Sequence, residues 1–236
     1  MVGILAITLL SIISLAVWLV SRPTSEVTFE ELSEPETNSA AYNSTVNQES
    51  VARKSGLISI GDPAYDQFDP YIIRASDYYR ITDKIMIKSL IMQESRFDMF
   101  SISQDSPCGI PEGWTDQESR SFGLTQVTPA CGEAGGSRPN LTTDRNSPIW
   151  ATSLFNPEFN INQGVKELSQ YLLLMKSKFP ECSNEQFMLM ALGAYNSGEN
   201  AIEECNSWSD RADNYIRNVI EHHRTLSERA NILPSH

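Results

Sequence analysis

The stretch DKIMIKSLIMQESRF, residues 83–97, carries the clearest structural signal in this sequence. Ile87, Leu90 and Ile91 recur at helical spacing, which predicts an amphipathic helix with one apolar face turned toward a core. Glu94 stands seven residues after Ile87 and therefore lies on that same face. Because burial of an ionised carboxylate is costly, we expect the pKa of Glu94 to be raised and its proton to be held near neutral pH, as a general acid requires.

Glu94 also has a simpler interpretation. At the border of the apolar face it would pair with Arg96 or Lys88 and have no chemical role, as most ion-paired carboxylates at a protein surface do. The first interpretation requires a buried carboxyl group, and the second requires a carboxylate paired with Arg96 or Lys88.

Four other stretches have the pattern of helices, and no stretch alternates apolar and polar residues convincingly, as a strand would. Residues 101–159 are rich in Gly, Pro, Ser and Asn and are predicted to be irregular, with short strands at most. The expected fold class is mainly α, a helical domain with one long irregular loop insert. The four helices are Asp69–Tyr79, one that opens at Asn160, one that opens at Ser183 and ends at Gly198, and one from about Ser209 to Arg229.

The composition excludes several classes of function. The chain has 236 residues, with 18 Lys and Arg against 30 Asp and Glu, so its formal net charge is −12. Such an acidic chain is unsuited to a nucleic acid partner, since phosphate backbones are bound by basic surfaces. The sequence contains no CxxC, HExxH or GxGxxG motif, so neither a metal site nor a cofactor is expected.

The N-terminal part is predicted to tether the domain to a membrane. Residues 2–20 carry no charge and as a helix would span about 28 Å, close to a bilayer core. We interpret residues 1–21 as a transmembrane signal anchor, with a cleaved signal peptide and a secreted domain as the alternative. Residues 22–61 are predicted to be a disordered acidic linker, and residues 62–236 the folded domain. That domain would lie outside the cytoplasm, in a periplasmic or extracellular space.

The four cysteines agree with that location. Cys108, Cys131, Cys182 and Cys205 all follow the apolar segment, and an even number in a translocated domain favours two disulfides. Three pairings are possible, and proximity in sequence favours Cys108–Cys131 and Cys182–Cys205. The alternative is four reduced thiols in a cytosolic protein. No histidine lies near them in sequence, which argues against a metal centre.

Four short motifs follow one another in an order that resembles the soluble lytic transglycosylases, which are relatives of goose-type lysozyme. The resemblance covers about residues 68–225. The motifs are ESRFD (94–98) with Ser103 after it, GLTQ (123–126), AYNSG (194–198) and NYI (214–216).

The resemblance implies a lysozyme-like, mostly helical α+β catalytic domain with a cleft for peptidoglycan glycan strands. Glu94 would protonate the bond between N-acetylmuramic acid and N-acetylglucosamine. It would then act as base on the 6-hydroxyl of the muramoyl sugar, which closes to a 1,6-anhydro end without water. The substrate's own N-acetyl group would take the place of the second carboxylate of ordinary glycosidases.

The resemblance also implies roles for other residues. Ser103 would help to place the acetamido group, Gln126 would line the cleft, the Tyr195 hydroxyl would approach Glu94, and Tyr215 would be a cleft or core residue. The expected substrate-binding residues are Ser95, Ser103, Gln126, Tyr195, Asn196 and Tyr215.

The chain departs from the family pattern by an insert of residues 104–120 between Ser103 and the GLTQ motif, and by Thr125 in place of the usual methionine. If a carboxylate of the insert, Asp105, Asp116 or Glu118, positions a water molecule, the enzyme would be a muramidase that hydrolyses the same bond. Two hypotheses without catalysis also stand, a glycan-binding envelope module and a helical adaptor. The sequence does not identify any partner in an envelope or secretion complex.

Overall fold

The computed structural model describes residues 58–132, 136, 138–139 and 153–232. The predicted anchor and residues 22–57 of the predicted linker lie outside these residues. None of the helices within them is both long and apolar enough to cross a bilayer.

Six α-helices and one small hairpin occur in the described residues, which agrees with a mainly α fold. The two strands of the hairpin, Ile202–Glu204 and Ser207–Trp208, pair antiparallel, and isolated bridges join Ile102 to Phe122 and Phe122 to Val127. Short 3-10 turns lie at Gln117–Ser119, Pro129–Cys131, Ser153–Phe155 and Glu199–Ala201. The helices are α1 Pro63–Asp66, α2 Asp69–Tyr78, α3 Lys84–Ser95, α4 Pro157–Lys178, α5 Asn184–Ser197 and α6 Asp210–Ile232, and the strands are β1 Ile202–Glu204 and β2 Ser207–Trp208.

Helix α3 occupies the middle of the core. It packs against α6 and α2, while α4 and α5 pack on each other and α5 on α6. The predicted apolar face of α3 is confirmed, since Ile87, Leu90 and Ile91 are buried. The side chain of Asp83 caps the start of α3 by accepting a hydrogen bond from the Met86 amide at 3.0 Å.

Two other local predictions are confirmed. Ser183 and Gln186 form a reciprocal capping box at the start of α5, and Gly198 follows its end with φ of 78°. Both disulfides favoured by proximity in sequence are formed, Cys108–Cys131 and Cys182–Cys205.

Two predictions about local structure were wrong. Helix α4 begins at Pro157 with Asn156 as its cap, so Asn160 is a buried residue inside the helix and not its first residue. The hairpin was also missed, because strands of three and two residues are too short to show an alternating pattern.

The folded part reaches into the predicted linker. Ile58 and Ile60 are buried, and the Asp66 carboxylate accepts hydrogen bonds from the Ile60 amide at 3.0 Å and the Ser59 hydroxyl at 2.7 Å. The same carboxylate lies 2.6 Å from the Lys88 ammonium. Residues 58–61 are therefore held against α3.

Lys88 is the charged group that makes this attachment possible. Its side chain is fully buried, and its ammonium lies 2.8 Å from the Ile58 carbonyl oxygen and 2.7 Å from the equally buried Asp69 carboxylate. Burial of one such charge without the other would cost several kcal/mol, whereas the pair compensates most of that cost.

We expect Lys88→Met to lower the free energy of unfolding by about 3–5 kcal/mol, because Asp69 would be left as a buried carboxylate without its cation. Lys84→Met is the matched control, since Lys84 is partly exposed beside Asp77 and its ion pair is worth at most about 1 kcal/mol. Equilibrium unfolding in urea measures both, and equal losses in the two variants would contradict this role for Lys88.

Candidate active site

Glu94 lies where the core helix ends. Arg96 and Phe97 follow with φ of 53° and 64°, and two successive non-glycine residues in the left-handed region are uncommon. The strained turn is held by packing, because the Phe97 ring is buried and stacks on Tyr65 at 4.7 Å and Phe68 at 5.9 Å between ring centroids. Backbone strain of this kind is found where a site needs a fixed geometry.

The carboxyl group of Glu94 has the properties that its position in the sequence predicts. The residue is partly exposed, but burial of its carboxyl group raises the pKa from 4.5 to about 7. A hydrogen bond from the Tyr215 hydroxyl to Glu94 Oε1 lowers the pKa of Glu94, since it stabilises the carboxylate. Near neutral pH both the protonated and the ionised form of Glu94 are therefore populated.

The simpler interpretation of Glu94 is not supported. Among the described residues Glu94 forms no ion pair, and the fully buried Lys88 is engaged with Asp66 and Asp69. Arg96 is exposed and is not among the groups that shift the pKa of Glu94.

Two tyrosines hold the surroundings of the acid. Tyr215, from the second turn of α6, is buried and makes the direct contact with Glu94. Tyr195, near the end of α5, donates its hydroxyl hydrogen to the Thr125 carbonyl oxygen at 2.7 Å. The resemblance assigned the approach to Glu94 to Tyr195, and the structure gives the direct hydrogen bond to Tyr215.

The GLTQ motif forms a tight loop beside these tyrosines. Phe122 and Val127 close it with two backbone hydrogen bonds of 2.9 and 3.0 Å. Gly123 has φ of 75°, and a Cβ at this position would lie 2.6 Å from the Leu154 carbonyl oxygen, so only glycine fits. Gln126 also has a positive φ of 54°, and its Nε2 donates to the Gly123 carbonyl oxygen at 2.8 Å.

Asn160 fixes this loop from below, and no sequence motif marked it as a site residue. Its Nδ2 donates to the carbonyl oxygens of Phe122 and Leu154 at 2.8 Å each, and its Oδ1 accepts from the Thr125 amide at 2.8 Å. Only 1% of Asn160 is exposed. The signal that could have found it is the pair Asn156-Pro157, a cap followed by a first-turn proline, which places Asn160 inside the helix.

Ser95 connects the acid to the same loop. Its hydroxyl lies 2.9 Å from the Leu124 carbonyl oxygen and 3.2 Å from that of Ile91, and it donates to these carbonyls. In this structure Ser95 thus joins the end of α3 to the GLTQ motif.

Ser103 and Asn196 have partners away from Glu94. The Ser103 hydroxyl donates to the Asp105 carbonyl oxygen at 2.7 Å and accepts from the Ser121 amide at 2.9 Å. Asn196 Oδ1 accepts from Arg211 Nε at 3.3 Å. The structure therefore brings Glu94, Ser95, Gln126, Tyr195 and Tyr215 to one helix end and its adjoining loop, and places Ser103 at the base of the insert.

The insert of residues 104–120 is closed at its base and braced internally. Hydrogen bonds between Ser103 and Ser121 join its two ends, and the Cys108–Cys131 disulfide ties it to the turn that follows the GLTQ motif. The Arg138 side chain lowers the pKa of Glu118 to about 2, and hydrogen bonds from Arg120 and Ser106 lower that of Asp116. These two carboxylates are therefore engaged with arginines and not with Glu94.

A family model described as Transglycosylase SLT domain matches residues 70–218, more than half of the chain. The matched region begins in α2 and ends in α6. It contains Glu94 and every residue expected to bind substrate.

We expect Asn160→Ala to lower the free energy of unfolding by about 2–4 kcal/mol, because it removes three buried hydrogen bonds to backbone groups, among them the one to the Thr125 amide. The amide of Thr125 should then exchange its hydrogen much faster, which hydrogen-exchange mass spectrometry of residues 122–127 can detect. Asn162→Ala, at a partly buried position of the same helix, is the control and should change neither quantity. Unchanged exchange in Asn160→Ala would contradict the assigned role.

Proposed function

Because this chain belongs to the family of transglycosylase SLT domains, which cleave glycan strands and have peptidoglycan as substrate, we propose that it is a lytic transglycosylase in which Glu94 serves first as acid and then as base. The proposal is carried by the state of the Glu94 carboxyl group. Burial raises its pKa to about 7, and the Tyr215 hydroxyl donates a hydrogen bond to it. Such a group gives and takes a proton with similar ease at neutral pH.

In the first step the Glu94 carboxyl donates its proton to the oxygen that links N-acetylmuramic acid to N-acetylglucosamine. The bond between that oxygen and C1 of the muramoyl sugar breaks, and the shortened glycan leaves with a free hydroxyl. Glu94 is then a carboxylate, which the hydrogen bond from Tyr215 stabilises.

In the second step the 6-hydroxyl of the same muramoyl sugar attacks C1 and closes the 1,6-anhydro ring. Glu94 takes the proton of that hydroxyl and returns to its starting state, so no water is consumed. The substrate's N-acetyl group assists at C1, which agrees with a site in which one carboxyl group does both proton transfers.

Hydrolysis by a muramidase would need a second carboxylate that holds a water molecule near C1. The insert was the alternative source, with Asp105, Asp116 and Glu118 as candidates, and two of these three, Asp116 and Glu118, are paired with Arg120 and Arg138. Transglycosylation is therefore the proposal that this site supports best.

We propose further that the domain acts outside the cytoplasm and is held at the membrane by residues 2–20. The uncharged run of these residues supports a signal anchor, and two disulfides suit an oxidising compartment. A tether would raise the effective concentration of this acidic domain near the cell wall, which itself carries peptide carboxylates.

We expect Glu94→Gln to reduce cleavage of purified sacculi by at least about 100-fold and to leave sacculus binding intact, because the amide keeps the shape of the side chain but has no proton to transfer. Glu185→Gln, an exposed position at the start of α5, is the control and should cleave like the wild type.

Mass spectrometry of the wild-type digest identifies the reaction, since an anhydro end is lighter than a hydrolysed end by one water. Anhydro ends support the proposal. Hydrolysed ends alone would show a muramidase, and equal inactivity of wild type and Glu94→Gln would show a binding module.

A further inference from the structure

Helices α5 and α6 approach each other closely beside the site. A Cβ at Gly193 of α5 would lie 3.3 Å from the Ala212 Cβ and 3.1 Å from the Ile216 Cδ1 of α6. The small residues at positions 193 and 212 let the two backbones come together. This approach brings Asn196, near the end of α5, to Arg211 in the first turn of α6, and Arg211 Nε donates to Asn196 Oδ1 at 3.3 Å.

The contact between Asn196 and Arg211 leaves several hydrogen-bond donors available. Asn196 Oδ1 also accepts from the Ser197 hydroxyl at 3.2 Å, so its two donors fix the orientation of the amide and leave the Nδ2 hydrogens without a partner among the described residues. Within the same part of the chain, Arg211 donates only through Nε, and its two terminal amino groups have no acceptor. The Arg211 side chain is exposed and Asn196 is half-buried. Solvent therefore meets a cluster of N–H donors that carries one positive charge.

The charge of Arg211 is not paired with a carboxylate of the described residues. Arg217, the next arginine of α6, shows the contrast, since its Nε lies 3.0 Å from the Asp213 carboxylate. Asp213 also accepts from the Trp208 indole N–H at 3.1 Å, so this carboxylate of the first turn has partners other than Arg211. In a chain with 30 acidic and 18 basic residues, an arginine left in this state is available to a negative group from outside.

Both donors stand next to a tyrosine of the site. Arg211 precedes Tyr215 by four residues, so the two share a face of α6 and their Cα atoms lie about 6 Å apart. Asn196 directly follows Tyr195 on α5. Tyr215 contacts Glu94, and Tyr195 binds the GLTQ loop. The donor cluster therefore lies beside the acid, within reach of a group that the bound sugar carries.

We propose that Arg211 and Asn196 form a subsite for a carboxylate of the peptide that the muramoyl sugar carries. A carboxylate fits this donor set, because the guanidinium fork binds two oxygens side by side through charge-assisted hydrogen bonds. The carboxyl group that joins the peptide to the sugar is an amide, so the ligand is one of the peptide's own carboxylates. This inference rests on the lytic transglycosylase function proposed above, and it makes peptide-bearing glycan the preferred substrate.

The test compares soluble peptidoglycan fragments that carry native peptides with fragments whose peptide carboxylates have been converted to methylamides. For the wild type we expect KM to be about tenfold higher on the amidated fragments, because the charge-assisted hydrogen bonds are lost. The kcat should not change, since the subsite binds the peptide equally before and during cleavage. Arg211→Gln should show the same rise of KM on native fragments, and amidation should then cause no further rise.

Asn196→Asp is a second variant that tests the same subsite from the other helix. Aspartate has nearly the size of asparagine and places a carboxylate where Arg211 already donates. This internal carboxylate should occupy the guanidinium and exclude the peptide, so KM on native fragments should rise at least as much as in Arg211→Gln. Amidation of the fragments should cause no further rise.

Arg217→Gln is the matched control. Arg217 is an exposed arginine of the same helix that is already paired with Asp213, and its loss changes the net charge by the same amount. Its variant should keep the wild-type KM on both kinds of fragment. Equal KM of the wild type on both fragments would overturn the proposal. So would a loss in Arg211→Gln that is equal on both fragments, or a rise of the same size in Arg217→Gln.

These outcomes are distinct from failure of the proposed function. That function fails if the wild type produces no anhydro ends or if Glu94→Gln remains active. The subsite is decided without cleavage by calorimetry, which gives the Kd of both fragments for Glu94→Gln alone and combined with Arg211→Gln. We expect the tenfold preference for native fragments in the first protein and no preference in the second, and equal preference in both would overturn the subsite.

Discussion

The hydrogen bond from Tyr215 to Glu94 joins the two helices that define the site. Helix α3 brings its carboxyl group to the end of an apolar face, where burial favours the protonated acid. Helix α6 supplies a hydroxyl that favours the carboxylate. The two effects oppose each other and leave the pKa of Glu94 at about 7, so one group can serve in both proton transfers.

The loop beside the acid is held from several sides at once. Ser95 binds it from the end of α3, Asn160 from α4 and Tyr195 from α5, each through a backbone group of Leu124 or Thr125. Position 123 must be glycine because Asn160 of α4 lies against it, and the backbone of Gly123 and Gln126 is left-handed where the loop turns. The two ends of the insert of residues 104–120 are hydrogen-bonded to each other, and two of its carboxylates, Asp116 and Glu118, are paired with Arg120 and Arg138.

The parts of this fold that could be predicted from sequence are those set by local spacing. The face of α3, the capping box of α5 and the disulfide pairs follow from residues close together in the chain. The site depends on contacts between distant residues, such as Asn160 with Thr125 and Tyr215 with Glu94, which no local pattern encodes. The family resemblance supplied the acid and the order of motifs. It did not supply the partner of the acid or the buried amide below the loop.

The most direct test of the central claim is a titration of the Glu94 carboxyl group itself. In protein labelled with 13C at glutamate side-chain carboxyl carbons, the signal absent from the Glu94→Gln variant belongs to Glu94, and NMR can follow it with pH. We expect a midpoint at about 7, the value that burial and the Tyr215 hydroxyl together set. A midpoint near the ordinary value of 4.5 would contradict the account, since Glu94 would then be an ordinary surface carboxylate at neutral pH.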